Sequence, residues 1–300
     1  MKIKKTDEGI IDDSCLVQVT HMNHLVEVRW MRTCNNEMPI KKIDKDSYEI
    51  LATGEIKEFA KISNRGEFTE GLRRTFKSLR YLINNNFVGN SNELHVTLTY
   101  AENMTDTKRL YNDFKVFMIL LRRKYKGIST IDVINVVEPQ ERGAWHCHVL
   151  LRFNDIDSIF IKNEEMRELW KHGYVTVRSL NEVDNIGAYL SAYLTDVELT
   201  ETTCSILKSG DSVMTKMVDG KEKKFIKGGR LHMYPPGMNL YRCSRGIKKP
   251  TKEFMLQEDI KKVVKNAAPH YSQTIIISDD DKVLNTIVYN QYNLKRQNLQ

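Results

Sequence analysis

The order in which hydrophobic periodicity switches between residues 94 and 178 restricts this chain more than any other feature. Leu94, Val96, Leu98 and Tyr100 alternate, which places them on one face of a strand. Thr105 or Asp106 can then cap a helix whose apolar stripe is Leu110, Phe114, Phe117 and Leu121. Arg122-Arg123-Lys124 suits its carboxyl end. Residues 131 to 137 are β-rich, 139 to 144 read as a turn, and 146 to 153 as a second strand, so the two form a hairpin. Asn163 caps a short helix through Trp170, closed by Gly173, and residues 174 to 178 alternate again. The order β-α-β-β-α-β predicts an α+β, ferredoxin-like (split βαβ) antiparallel sheet with helices on one face and the other face open as a platform. One further helix, Asp184 to Thr195, follows.

The flanks are read the same way. Residues 15 to 31 alternate about a His-Met-Asn-His centre and predict a hairpin. Glu67 to Ile83 predicts a helix, with Leu72, Phe76, Leu79 and Ile83 on its apolar stripe and Arg73, Arg74, Lys77 and Arg80 off it. Beyond residue 250 the pattern predicts a helix from Phe254 to Val264 and a hairpin of 274–278 with 283–289. The division is therefore a β-rich amino-terminal extension (1–63), a core (64–200), a basic segment (201–250) and a carboxyl-terminal helix and hairpin (251–300). The longest apolar run, Val116 to Leu121, is too short to span a bilayer, so no membrane partner is expected. No apolar segment backs the basic start, so a secretory signal is not expected. Five cysteines without a Cys-x-x-Cys pair argue against a disulfide framework and for a cytoplasmic location.

Charge narrows the partner. The chain carries a formal +7, and residues 216 to 249 alone hold ten Lys or Arg against two acids, a net +8. Such a segment is either a solvated loop or a phosphate-binding surface. On the second reading the DNA-contacting candidates are Arg73, Arg74 and Lys77 on the basic helix face, with Lys223, Lys224, Arg245, Lys248 and Lys249.

Two local patterns carry chemistry. In Trp145-His146-Cys147-His148 the two histidines share a strand face and lie near enough to share one ion, unless they are simply half-buried strand residues. Glu138, at the end of the partner strand, supplies a third ligand. A His-His-Glu set with open positions takes Mg²⁺, Mn²⁺ or zinc by ligand type. Tyr189 and Tyr193 stand one helical turn apart. That spacing serves core packing, or it presents phenols as nucleophiles toward a metal-polarised phosphate.

Taken in order and spacing, these patterns resemble the HUH endonuclease superfamily, and most nearly the rolling-circle replication-associated (Rep) proteins of small plasmids and phages, including the filamentous-phage nicking type. The resemblance is carried by His95-Val96-Thr97-Leu98-Thr99-Tyr100 with Ala101-Glu102-Asn103, by Glu138 through His148, by Gly187 through Tyr193, and by the basic 242–250 stretch. It spans roughly residues 65 to 250. It implies that His146, His148 and Glu138 hold Mg²⁺ or Mn²⁺, and that Tyr189 and Tyr193 cleave and rejoin single-stranded or hairpin origin DNA through a phosphotyrosine. It also implies a host helicase and polymerase as partners, consistent with the lack of a phosphate-loop motif. The family pattern places a lysine three residues after the tyrosine, whereas positions 192 and 196 here are Ala and Asp. The alternative is accordingly a degenerate protein that binds origin DNA without cutting it. A third reading, a nucleic-acid-binding ferredoxin-like domain, calls for exposed aromatics on the middle strands, where this chain has histidines.

Overall fold

The structure is a computed structural model that describes residues 2–34, 39–61, 69–140, 142–181, 183, 185–188, 190, 197–199, 213–218, 221–226, 230–265, 267–280 and 282–299. The chain divides into two compact units, one made of residues 1–62 with 250–300 and the other of residues 63–249. In chain order the first unit opens with β1 (Lys2–Thr6), β2 (Leu16–Met22), β3 (Leu25–Met31), β4 (Ile40–Lys42), β5 (Ser47–Ile50) and β6 (Glu55–Glu58). The second holds α1 (Thr69–Asn86), β7 (Glu93–Tyr100), α2 (Thr107–Lys124), β8 (Ile131–Pro139), β9 (Trp145–Phe153), α3 (Asn163–Trp170) and β10 (Gly173–Ser179). It continues with β11 (Val197–Glu198), β12 (Val213–Val218), β13 (Lys221–Ile226) and β14 (Tyr241–Cys243). The chain then returns to the first unit with β15 (Thr251–Leu256), β16 (Tyr271–Asp279) and β17 (Lys282–Asn293).

In the first unit six strands form an antiparallel sheet in the order β1-β16-β17-β3-β2-β15. The β2–β3 hairpin matches the expected one. Its two-residue turn puts Asn23 at φ 58, a left-handed conformation that asparagine tolerates. Val17, Val19, Val26 and Val28 pack with Tyr292 and with Ile260 and Val264 of a short helix. The helix expected from Phe254 to Val264 is corrected here. Phe254 lies in β15, opposite Gln18 of β2, and only Ile260–Val264 is α-helical. Closing the open edge of β2 with a strand overrides the local periodicity. The segments read from sequence as separate extensions thus share one sheet. Strands β4, β5 and β6 form a small sheet of their own.

In the second unit the sheet order is β10-β7-β9-β8-β14, with every neighbouring pair antiparallel. Its first four strands follow the ferredoxin-like order, and β14 adds an edge. On one face Leu94, Val96, Leu98, Cys147, Val149 and Leu151 pack under α2 and α3. Asp106 caps α2 as expected, accepting from the backbone N–H groups of Lys108 (2.7 Å) and Arg109 (3.3 Å). The α3 ends differ from expectation. Asn163 is the first helical residue, and its Oδ1 accepts from Val177 N (2.8 Å) instead of capping. Lys171 (φ 65) closes the helix, while Gly173 (φ +154) begins β10.

The second face of this sheet is not fully open. Leu79 and Ile83 of α1, with Phe87 just beyond it, cluster with Ile134 and Val136 of β8, Leu150 of β9, and Ile186 and Leu190. This packing covers the middle of the face and leaves polar side chains at the end where β8 stops and β9 starts. Among the described residues no helix is long and apolar enough to cross a membrane, and the four described cysteines are free.

Candidate metal and nucleic-acid site

The site is assembled by strand register. Glu138 of β8 stands directly opposite His146 of β9, and His148 is flanked by Val136 of β8 and Thr97 of β7. Because side chains alternate along each strand, Glu138, His146 and His148 share one face, and His95 of β7 shares it too. The residues between them, Val137, Cys147 and Val96, point into the α2/α3 core.

These groups are buried and in contact. Glu138 is 5% exposed, His148 7% and His95 5%, so none is solvated as an ordinary surface side chain would be. His148 Nε2 makes a short hydrogen bond to Glu138 Oε2, and His148 Nδ1 lies 3.2 Å from His95 Nε2. The His95 and His148 rings stack with centroids 5.4 Å apart. Arg230 closes the other side of Glu138. Its Nη1 ion-pairs with Oε1 and donates to the Pro139 carbonyl at 2.9 Å. By contrast His146 Nε2 is buried with no hydrogen-bond partner. An unsatisfied buried nitrogen of this kind costs about 1–3 kcal/mol.

Electrostatics follow from burial. Desolvation lowers His146 from 6.5 to about 4, although Glu138 pulls the other way. Desolvation, with the charges of His148 and Arg178, lowers His95 to about 3. Both rings are therefore neutral at pH 7, the form in which imidazole donates a lone pair. Burial pushes the Glu138 carboxyl up, but the His148 hydrogen bond and the His148 and Arg230 charges outweigh it and leave it below the usual range. The contact between His148 Nε2 and Glu138 Oε2 joins two lone-pair atoms and needs a positive centre between them, here a proton.

Donor chemistry thus fits a divalent ion: two neutral imidazoles, one carboxylate, and an imidazole nitrogen that nothing else satisfies. Among the described residues no three His, Cys, Asp or Glu side chains are grouped closely enough to hold an ion as they stand. Glu138 is drawn toward Arg230, and the His146 and His148 ring centroids are 6.4 Å apart. A cavity of about 350 Å³ opens on the site, lined by Glu138, Gln140, Arg142, His146 and Arg230. Arg142 is held at its mouth by bonds to Gln140 Oε1 (3.1 Å) and the Tyr100 carbonyl (2.9 Å).

Tyr189 and Tyr193 lie outside the described residues; of their helix, residues 186–188 and 190 are described as helical. Its approach to α1 is tight. Gly187 N donates to Asn84 Oδ1 at 2.8 Å, and a Cβ at Gly187 would meet that oxygen at 2.6 Å and the Arg80 carbonyl at 2.8 Å. Gly187→Ala is therefore expected to destabilise the protein by about 1–3 kcal/mol, measured as a lowered urea midpoint with an unchanged slope.

The basic candidates do not form one patch. Arg74 is exposed on α1, the side chain of Arg73 lies outside the described set, and Lys77 sits over the Tyr81 ring with its Nζ 5.2 Å from the centroid. Lys223 and Lys224 are neighbours on β13, so they face opposite sides of the β11-β13-β12 sheet and cannot follow the same backbone. Lys248 is fixed beside the end of α1, where its backbone exchanges hydrogen bonds with Asn86 (2.7 and 2.9 Å). Arg245 is exposed just beyond β14, and Lys249 is exposed as well.

Sequence reasoning leaves His95 and Arg230 out of the site. His95 shares the face of His148 only once β7 is placed beside β9, a pairing between residues about fifty apart. Arg230 carries no local signal beyond its charge. No curated protein and no solved structure matches this chain. Residues 93–198, the stretch that contains β7 through β11 and with them Glu138, His146, His148, His95 and Arg142, match a family model of replication-associated proteins, the ORF2 type.

Proposed function

We propose that the protein initiates rolling-circle replication as a metal-dependent enzyme that nicks and rejoins single-stranded origin DNA. The observation that carries this reading is the buried, unpartnered His146 Nε2 beside Glu138 and His148, within the stretch that matches replication-associated proteins. His146, His148 and Glu138 would hold Mg²⁺ or Mn²⁺, and the ion would polarise a non-bridging oxygen of the scissile phosphate. His95 orients the His148 ring through the 3.2 Å contact, as partners of metal-binding histidines commonly do. Arg142 and Arg230 set positive charge at the mouth of the cavity, where an incoming phosphodiester is anionic. Arg230 supplies near the phosphate the charge that Ala192 and Asp196 lack. A tyrosine, Tyr189 or Tyr193, loses its phenolic proton and attacks phosphorus. The O3′–P bond breaks, the departing oxygen takes up a proton, and the products are a 5′-phosphotyrosyl link and a free 3′-OH that primes synthesis. The second tyrosine reverses the exchange on a later strand. Unwinding and extension would fall to a host helicase and polymerase.

The test is incubation with Mn²⁺ and a 3′-labelled, random-sequence pool of single-stranded DNA, followed by denaturing electrophoresis. A detergent-resistant labelled adduct is expected. Tyr189→Phe and Tyr193→Phe should each impair the cleave-and-rejoin cycle, and the double variant should form no adduct. An adduct in the double variant that maps to another residue refutes the tyrosine assignment. One observation favours the second reading, an origin-binding protein that does not cut: Arg230 already neutralises Glu138. Tight binding with no adduct at any Mn²⁺ concentration would establish it.

A further inference from the structure

A second concavity lies on the opposite face of the same sheet, between α2 and β14. It has a volume of about 710 Å³, and Lys115, Arg122, Arg242 and Arg245 line it, with no Asp or Glu among its described lining residues. The lining also includes Phe114, Met118 and Ile119, the last 51% exposed. Arg242 stacks on Tyr111, its guanidinium carbon 3.6 Å from the ring centroid, and the Tyr111 hydroxyl donates to the Asn239 carbonyl at 3.0 Å. That bond fixes the ring and leaves a flat cationic plate at the groove wall. The hollow extends toward the end of α2, because a second cavity of about 550 Å³ is also lined by Arg122, together with Lys126 and Ile128. Its one carboxylate, Asp155, is engaged by Thr130 N (2.7 Å) and Thr130 Oγ1 (2.8 Å).

An elongated groove with cationic rims, planar stacking groups and an apolar floor suits a polymer that is both anionic and aromatic. Bases unstacked from a partner strand satisfy the floor and the Arg242 plate, and phosphates satisfy the rims. A duplex hides its base faces and gains nothing from Phe114, Met118 or Ile119. We propose that the α2–β14 groove is a second binding site for single-stranded DNA, which holds the strand flanking the one on the His146/His148 face. The inference rests on the reading above that this protein acts on single-stranded DNA. Strand β14 makes the connection. Tyr241, paired with Val136, packs on the site's face of the sheet, whereas the next residue, Arg242, turns to the α2 face. Val136 is two residues from Glu138 on β8, so a strand leaving the site crosses this edge within a few nucleotides.

The experiment uses the full chain without metal and a labelled oligothymidylate, with binding followed by anisotropy against salt. Lys115, Arg122 and Arg242 are exposed, so Lys115→Ala/Arg122→Ala/Arg242→Ala should fold normally. The triple variant is expected to bind at least ~10-fold more weakly, and the log–log salt slope should flatten by about 2, at roughly 0.7 per lost phosphate contact. Arg242→Lys should restore its share of the slope but not the full affinity, because ammonium cannot stack. A measurement on the unaltered protein adds a second readout. Cys243 is an exposed thiol lining the groove, so saturating DNA should slow its alkylation while leaving exposed Cys34 unchanged. If the wild type binds DNA but both the slope and Cys243 alkylation are unaffected, the groove assignment falls and the nicking reading stands. If the wild type binds no single strand, both fall. Tighter binding of duplex, or of RNA of the same sequence, overturns the assignment to single-stranded DNA.

Discussion

His146→Ala combined with His148→Ala is expected to abolish Mn²⁺ binding measured by calorimetry, together with adduct formation on single-stranded DNA. The two imidazoles carry two of the three donor groups, and His146 is neutral at pH 7, so a lone carboxylate already paired with Arg230 remains. The loss should also appear in stability. In the wild type, Mn²⁺ at about a hundred times its Kd should add about 2.7 kcal/mol, and in the double variant nothing. Without metal the alanine at position 146 should cost less than a typical buried truncation, because the nitrogen it removes has no partner. Unchanged Mn²⁺ affinity in the double variant would eliminate this site.

The metal-free protein is expected to lose stability steeply as pH falls from about 6.5 toward 4. His95 and His146 take protons at about 3 and about 4 in the folded chain, against an ordinary value of 6.5. Between those values the unfolded chain binds more protons than the folded one, so stability rises with pH and is lost on acidification. At about 1.4 kcal/mol per unit, His146 alone contributes on the order of 3 kcal/mol across this window. Glu138, held below its usual range chiefly by His148 against the opposing effect of burial, adds a loss of the same sign at lower pH. Urea midpoints at pH 7.5, 6 and 5 measure the effect. A flat profile would show that these rings are solvated in the folded state. His95→Gln with His146→Gln should remove most of the slope.

Legibility in the sequence follows the range of the interaction that shapes each element. The α2 cap at Asp106, the β8–β9 hairpin and the shared face of His146 and His148 depend on neighbours a few residues away, and periodicity alone exposes them. Phe254 misleads because its strand exists only through pairing with Gln18, far away in the chain. The cover that α1 places over Ile134 and Leu150 is hidden for a related reason: an apolar helix stripe does not say which face of a sheet it will meet. Within the site, Glu138 is visible as the hairpin partner of His146, whereas His95 and Arg230 arrive from other elements. Net charge misleads in a different way. The alternation along β13 divides Lys223 from Lys224, so a run of cations in sequence is not a run in space.

The six-stranded sheet has a consequence for synthesis. The β2–β3 hairpin leaves the ribosome early, yet its flanking strands β15 and β17 come from residues 251–256 and 282–293. While the intervening 63–249 unit is translated and folds on its own contacts, the hairpin waits with both edges unpaired and Val17, Val19, Val26 and Val28 uncovered. Nascent chains stalled within the 63–249 unit should therefore be the aggregation-prone species. A chaperone that holds extended apolar strands would act on residues 16–31, long after they have been made.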